Sequence, residues 1–163
     1  MKRLTLIRHA KSDWSDVSLS DFDRPLNGRG KKAAPKMGKR MAKRGDIPNL
    51  LVSSPAKRAA KTARLIAQEL EISKDKIVYQ PDIFAAKLKT LIALICNLPE
   101  HKHIALIGHN PGLSELAEWL CSDAPGWLPT CAILTIDLDI GSWEKIKKGC
   151  GHILHYDFPK KSA

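Results

Sequence analysis

Apolar and polar positions fall in blocks along this chain, and the blocks switch repeatedly between a strand-like and a helix-like period. Residues 3–7 (RLTLI) form a short β-rich apolar run that suits a central strand. After a polar loop with Asp13, Asp16, Asp21 and Asp23, residues 29–44 set Ala34, Met37, Gly38 and Met41 at helical spacing, with Lys and Arg on the other faces. This predicts a basic amphipathic helix that tolerates Pro35 only in its first turn, where no hydrogen bond is lost. Residues 50–53 predict a second strand running into Ser54-Pro55, an N-cap followed by the first-turn proline that helices favour. The next helix carries Ala59, Ala63, Ile66 and Leu70 on its apolar face. A third strand is expected over 77–79, a third helix over 88–98 closed by Pro99, and a fourth strand over 103–107. Asn110-Pro111 repeats the cap signal ahead of a helix with Leu113, Leu116, Ala117 and Leu120.

Strand alternating with helix implies a largely parallel sheet covered on both faces. Beyond Gly126 the pattern changes: residues 132–138 and 151–158 read as two strands joined by a loop around Gly141, Ser142 and Trp143, which makes the sheet mixed. The expected fold is therefore α/β, a three-layer sandwich with a mixed, mostly parallel sheet flanked by helices. With 163 residues and no repeat, low-complexity tract or dividing linker, residues 1–163 are expected to form a single domain.

Composition narrows the class. With 44% hydrophobic and 27% charged residues, disorder, collagen and coiled coil are excluded. No apolar run approaches the ~20 residues of a membrane helix, and Arg8, His9 and Lys11 interrupt the N-terminal one, so no membrane association or signal peptide is expected. Cys96, Cys121, Cys131 and Cys150 are scattered without a C-x-x-C pair, which suits reduced thiols in a cytoplasm. The net charge of +10 is uneven: residues 1–64 hold 17 Lys and Arg against 5 Asp and Glu, and the remainder is slightly acidic. Such a block suits nucleic acid, an acidic membrane or a phosphorylated substrate, and charge alone does not choose.

Position chooses better. Ligands of open α/β sheets bind where strands exit into helices, and three exits here are unusually polar: Arg8-His9, Ser53 to Arg58, and Gly108-His109-Asn110-Pro111-Gly112. Histidines and arginines on one rim suggest phosphate chemistry. A guanidinium fork matches phosphate oxygens at any pH, and neighbouring cations keep an imidazole neutral and nucleophilic.

Leu6-Ile7-Arg8-His9-Ala10, Ser53-Ser54-Pro55 with Arg58-Ala59 and Thr62-Ala63, and Gly108-His109-Asn110-Pro111 together resemble the histidine phosphatase, or phosphoglycerate-mutase-like, superfamily. The short length and Asp23-Arg24-Pro25-Leu26 with Gly28-Arg29-Gly30 look most like its small SixA-type branch of phosphohistidine phosphatases. The resemblance implies that His9 is a nucleophile forming a phosphohistidine, that Arg8, Arg24 and Arg58 bind the phosphoryl group, and that His109 donates a hydrogen bond to it. Ser53 and Asn110 are implied beside the substrate, with Asn110 also capping its helix.

Two departures stand out. The family's usual Arg-His-Gly is Arg8-His9-Ala10 here, and the acid that larger members carry after the third strand is replaced by Ile83-Phe84-Ala85-Ala86. An alkoxide leaving group needs a general acid, whereas phosphohistidine or a phosphoanhydride does not. A labile substrate is therefore expected, or a donor from the loop, Asp13 or Asp16. Without the helical insertions of larger members the site should be open to a phosphohistidine on a partner protein. The alternatives are small phosphate esters or anhydrides, and a mutase.

Other features take plainer readings. Cys150-x-His152-x-x-His155 lacks a fourth ligand and splits across strand faces, so no metal is expected. No other cofactor is implied, and a monomer is expected. His101 and His103 read as loop and strand-edge residues, and Trp119, Trp127 and Trp143 as packing. Lys32, Lys36, Lys39, Arg40, Lys43 and Arg44 read as a solvated face. A non-catalytic nucleic-acid binder is the minor rival, although no aromatics interleave these charges.

Overall fold

The computed structural model describes residues 1–162. Its order is β1 (Lys2–Arg8), α1 (Gly28–Arg44), β2 (Leu50–Ser53), α2 (Lys57–Glu69), β3 (Ile77–Tyr79), α3 (Leu88–Cys96), β4 (His103–Gly108), α4 (Gly112–Leu120), β5 (Ile133–Leu138) and β6 (Gly151–Asp157). One sheet runs β3-β2-β4-β1-β5-β6. β1, β2, β3 and β4 pair in parallel, while β5 runs antiparallel to both β1 and β6. This is the expected mixed sheet, with its parallel part first in the chain.

Alternation along the central strands feeds two separate cores. Leu4, Leu6, Ile104 and Leu106 face α3 and α4 through Leu91, Ile95, Leu113, Leu116 and Leu120. Ile7, Leu51, Ala105 and Ile107 face α1 and α2 through Ala34, Met37, Met41, Ala63 and Ile66. A strand presents successive residues to opposite faces, so one apolar run supplies both layers.

α1 differs from its sequence reading. Asn27 caps it, accepting from the Gly30 N–H at 2.9 Å, and Pro35 therefore sits mid-helix instead of in the first turn. The proline denies a donor to the carbonyl of Lys31, an exposed residue where water can replace it. The basic face is also less free than a solvated face would be. Arg40 and Arg44 pair with the two oxygens of the buried Asp157 at 3.0 and 3.1 Å, and Lys36 donates to the Pro159 carbonyl. Part of the positive charge thus fastens the end of β6 to α1.

Two glycines place the loops that matter. A Cβ on Gly30 would lie 2.2 Å from the Lys11 carbonyl oxygen, and one on Gly112 would lie 2.5 Å from that of Ala86. Only glycine allows these approaches, which press the 11–27 loop and the 84–87 loop against the starts of α1 and α4.

Candidate active site

β1, β2 and β4 end side by side, and the chain leaving them carries the polar residues singled out above. Arg8 closes β1. The backbone of His9 is pinned from two sides: its N–H donates to the Gly108 carbonyl and its carbonyl accepts from Cys131, each at 3.0 Å. Its ring is only 7% exposed. Nδ1 lies 2.7 Å from the Ala10 carbonyl, which can only accept, so the proton sits on Nδ1 and the lone pair on Nε2. Burial pulls the imidazole down to about 4, opposed by the bond to Ala10 and reinforced by Arg58 and Arg8. At neutral pH His9 is an uncharged base.

His109 faces it, with ring centroids 5.1 Å apart. Ser54 Oγ accepts from the Ala56 N–H at 3.2 Å and lies 2.8 Å from His109 Nε2. The Ser54 hydroxyl keeps a lone pair as well as its proton, so it can accept from Nε2 or donate to it; donation places the ring proton on Nδ1. That Nδ1 is buried, with no hydrogen-bond partner among the described residues. Burial first, then His9, Arg58 and Arg8, bring His109 down to about 3.

Two guanidinium groups, Arg58 and Arg8, flank the pair, and a third, Arg24, stands behind Asp21 and Trp14. Arg58, in the first turn of α2, directs Nε to His9 Nε2 at 3.4 Å. Its terminal nitrogens are held by the Asp21 carbonyl and, at 3.1 Å, by the Asp21 carboxylate. The same carboxylate lies 3.6 Å from Arg24 Nε. Arg24 stacks 3.9 Å above the Trp14 ring, and its Nε and Nη1 are buried without hydrogen-bond partners among the described residues. Arg8 donates through Nη1 to the Leu128 carbonyl at 3.0 Å and lies 5.6 Å over Trp127, and its buried Nε has no partner among the described residues. Thr62 ties the arrangement together, accepting from the Ala10 N–H and donating to the Arg58 carbonyl.

These residues line two adjoining cavities that share Asp21, Arg58, His109 and Asn110. One, of about 330 Å³, adds Arg8, His9, Lys11, Ser12, Trp14 and Thr130. The other, of about 270 Å³, is walled by Phe84, Ala85, Ala86, Lys87, Pro111 and Glu115. Larger surface grooves of about 570 and 620 Å³ lie elsewhere, and neither contains two histidines.

The structure thus gathers Arg8, His9, Arg58 and His109 in one cleft; Arg24, expected with them, lines neither cavity and reaches the cleft only through Trp14 and Asp21, and the other sequence candidates are treated differently again. Ser53 is fully buried and spends its hydroxyl on the Ser54 carbonyl, so the serine that reaches the site is Ser54. Asn110 has neither end free: Oδ1 accepts from the Ser114 hydroxyl and N–H, and Nδ2 donates to the Leu128 carbonyl. It caps α4, which begins only at Gly112, beyond a cis Asn110–Pro111 bond. Likewise α2 begins at Lys57, after the Ser54-Pro55 pair expected to start it. Asp13 and Asp16 line neither cavity, and both pKa values are lowered by bonds from Ser15 and Ser18, which favour the ionised form over a proton donor.

Trp143 is fully buried, but Trp127 is 57% exposed, so it does not pack as expected. His103 opens the central strand β4 and is buried, not set at an edge. Sequence reading allows Asp21 as an ion-pair partner of Arg24, as found, but not its hold on Arg58, nor the contact of Ser54 with His109, and it passes over Trp14. Trp14 could have been suspected only from its place in the loop beside Arg24, while Ser54 was read for its helix signal.

The profile of the histidine phosphatase superfamily (branch 1) matches residues 4–83. An uncharacterised chloroplastic protein of Arabidopsis thaliana is 31% identical over 154 residues, 88% of this chain and 70% of that protein. The crystal structure of a protein described as the phosphohistidine phosphatase SixA, from Agrobacterium tumefaciens, is 26% identical, covers 97% of this chain and 98% of its own, and superposes with a TM-score of 0.82. A protein histidine phosphatase SixA complexed with tungstate, 21% identical, gives the same score over 96% of this chain and 97% of its own, a likeness of fold. A superfamily profile laid over the Arg8-His9 and Arg58 motifs, and a SixA fold matched from end to end, carry one conclusion: the chain belongs to the histidine phosphatase superfamily, in its small SixA-type branch.

Proposed function

We propose that this phosphatase removes the phosphoryl group from a phosphohistidine on a partner protein, by way of a covalent phosphohistidine on His9. The observation that carries the reading is a pair of buried groups without a hydrogen-bond partner among the described residues, Arg8 Nε and His109 Nδ1, beside an uncharged imidazole. Buried donors without acceptors cost stability. A tetrahedral anion with several oxygens satisfies them together.

His9 Nε2 attacks phosphorus while the bond to the leaving nitrogen breaks, and that electron pair leaves with the ring. A phosphorylated imidazole protonated on its second nitrogen departs neutral, so no enzymic acid is required. Arg8, Arg58 and His109 stabilise the charge spread over the phosphoryl oxygens. Water then attacks the phosphoryl on His9, the P–N bond returns its electrons to Nε2, and the water proton leaves with phosphate.

The acids of the cleft agree with a labile substrate. Asp21 is held by Arg58, and Glu115 belongs to the cavity that does not contain His9.

The test is to quench the enzyme during turnover of a phosphorylated histidine domain and assay for a phosphoryl group that is acid-labile and base-stable. Wild type should carry it and His9→Ala should not. A wild-type level in His9→Ala would eliminate the mechanism.

A further inference from the structure

The cleft is bordered by apolar side chains that the chemistry does not use. Trp14, in the wall of the His9 cavity, is 64% exposed; Trp127, over Arg8, 57%; and Phe22, against Phe84, 38%. They come from two separate loops, 11–27 and 121–132, that also hold the arginines in place. Apolar side chains grouped at the mouth of a polar cleft mark an interaction surface, and tryptophan is enriched among the residues that dominate protein interfaces.

The backbone beneath these rings is fixed. Leu128, next to Trp127, is fully buried; its N–H donates to Ser114 Oγ at 2.9 Å and its carbonyl accepts from both Arg8 and Asn110. Trp14 follows Asp13, whose N–H donates to the Pro25 carbonyl at 2.8 Å, and precedes Ser15, whose N–H donates to the Asp13 carboxylate. The neighbouring pair Ser12 and Leu26 forms an isolated antiparallel bridge. A ring carried on fixed backbone and set against a guanidinium has part of its ordering cost met before any partner arrives, which is how a recognition element is preorganised.

Two further observations define the occupant. His9 is recessed, so a phosphoryl group must be carried inward on a side chain standing proud of its own surface. The cavity that holds His9 is lined by Arg8, Lys11 and Arg58 against Asp21 alone, a cationic funnel matched to an anionic phosphoryl group. Around that funnel the contact is apolar.

Building on the phosphatase reading above, we propose that Trp14 and Trp127 form an aromatic rim that docks a folded partner protein, gripping the apolar surface around its phosphorylated side chain. The rim selects a protein-borne phosphoryl group over the same chemistry on a small molecule.

The experiment compares kcat/KM on a phosphorylated histidine-containing domain with kcat/KM on phosphoramidate, a small P–N substrate, for wild type, Trp14→Ala and Trp127→Ala. Trp127→Ala, at a residue that lines neither cavity, should lower the ratio about 10-fold, chiefly through KM on the domain; Trp14→Ala, whose ring also walls the His9 cavity and stacks on Arg24, should lower both values and that for the domain by the larger factor. Trp14→Gln and Trp127→Gln, which keep a solvated side chain of some length, should fall in the same direction and stand in if an alanine variant does not fold. An equal loss on both substrates, or no loss on either, overturns the rim and leaves the phosphatase reading intact. Wild-type turnover of phosphoramidate without turnover of the phosphorylated domain overturns the protein-substrate reading, and the rim with it.

Discussion

β4 has a buried histidine at each end, and the two lie in opposite circumstances. His103 opens the strand amid a polar cluster whose donors are met and in which one acceptor, Asp46 Oδ1, is left without a hydrogen-bond partner among the described residues. Its ring lies 2.7 Å from Thr5 Oγ1, Thr5 meets Thr135, and Thr135 donates to Asp46 Oδ2 at 2.8 Å, with Asp46 Oδ1 3.7 Å from the ring. His109, just past the other end, has one nitrogen on Ser54 and the other without a partner among the described residues, beside Arg8 Nε in the same condition. Both imidazoles are shifted down mainly by burial. Burial and a displaced pKa therefore do not separate a structural histidine from a working one. Unmet donors and cations around the ring do, because a fold satisfies its own polar groups except where it reserves them for a ligand.

The largest effect is expected at Arg58, which has a protein partner on each nitrogen, unlike Arg8, but directs its Nε at His9 Nε2. Arg58→Ala should lower kcat/KM by roughly 10²–10³-fold, the loss typical of removing one preorganised donor from a transition-state anion. Steady-state kinetics on the phosphorylated domain checks it, and a loss below about threefold would place Arg58 with the structural residues.

At the opposite end, Asp46→Ala strips Thr135 of its acceptor and should cost about 1–3 kcal/mol of stability. Thermal unfolding measures this, and kcat per folded molecule should not change. A fall in kcat at constant folded fraction would break the division between the two ends of β4.

Ser54→Ala should act more mildly, lowering kcat/KM about 10-fold, equivalent to ~1.4 kcal/mol, by freeing the His109 tautomer. Imidazole ¹⁵N spectra should show mixed protonation of the His109 nitrogens in the variant and a single Nδ1–H form in wild type.

The smallest signal is in titration. With His9 near 4 and His109 near 3, neither ring should gain a proton between pH 8 and 5, which ¹⁵N spectra of the free enzyme would register. The linkage sign follows from the same shifts. Below about pH 6.5 the unfolded chain binds protons at these positions that the folded chain refuses, so stability should fall as pH drops from 6.5 toward 4. A ring titrating near 6.5 would remove the basis for an uncharged His9 at that pH.

The strand and helix order, the switch to antiparallel strands after Gly126 and the convergence of three exits were legible because each rests on local periodicity or on a rule about where strands lead. Pro35 was misplaced because Asn27 sets the start of α1, and a cap competes with the proline signal one helix turn at a time. Ser54 was read for its neighbour Pro55 and not for its reach to His109, which lies 55 residues away in the chain.

Sequence alone determined the chemistry available at the rim: a histidine and an arginine at the end of the first strand, a second arginine at the start of a helix, a second histidine after the fourth strand. Tertiary structure decided which polar groups are used up and which are left over. Asn110 and Ser53 are spent internally, Asp21 holds Arg58, Ser54 meets Nε2 of His109, and two tryptophans remain in solvent on fixed backbone. The reason is physical: a residue's donors are a property of its type, but whether they are satisfied depends on atoms that meet only when distant segments pack together.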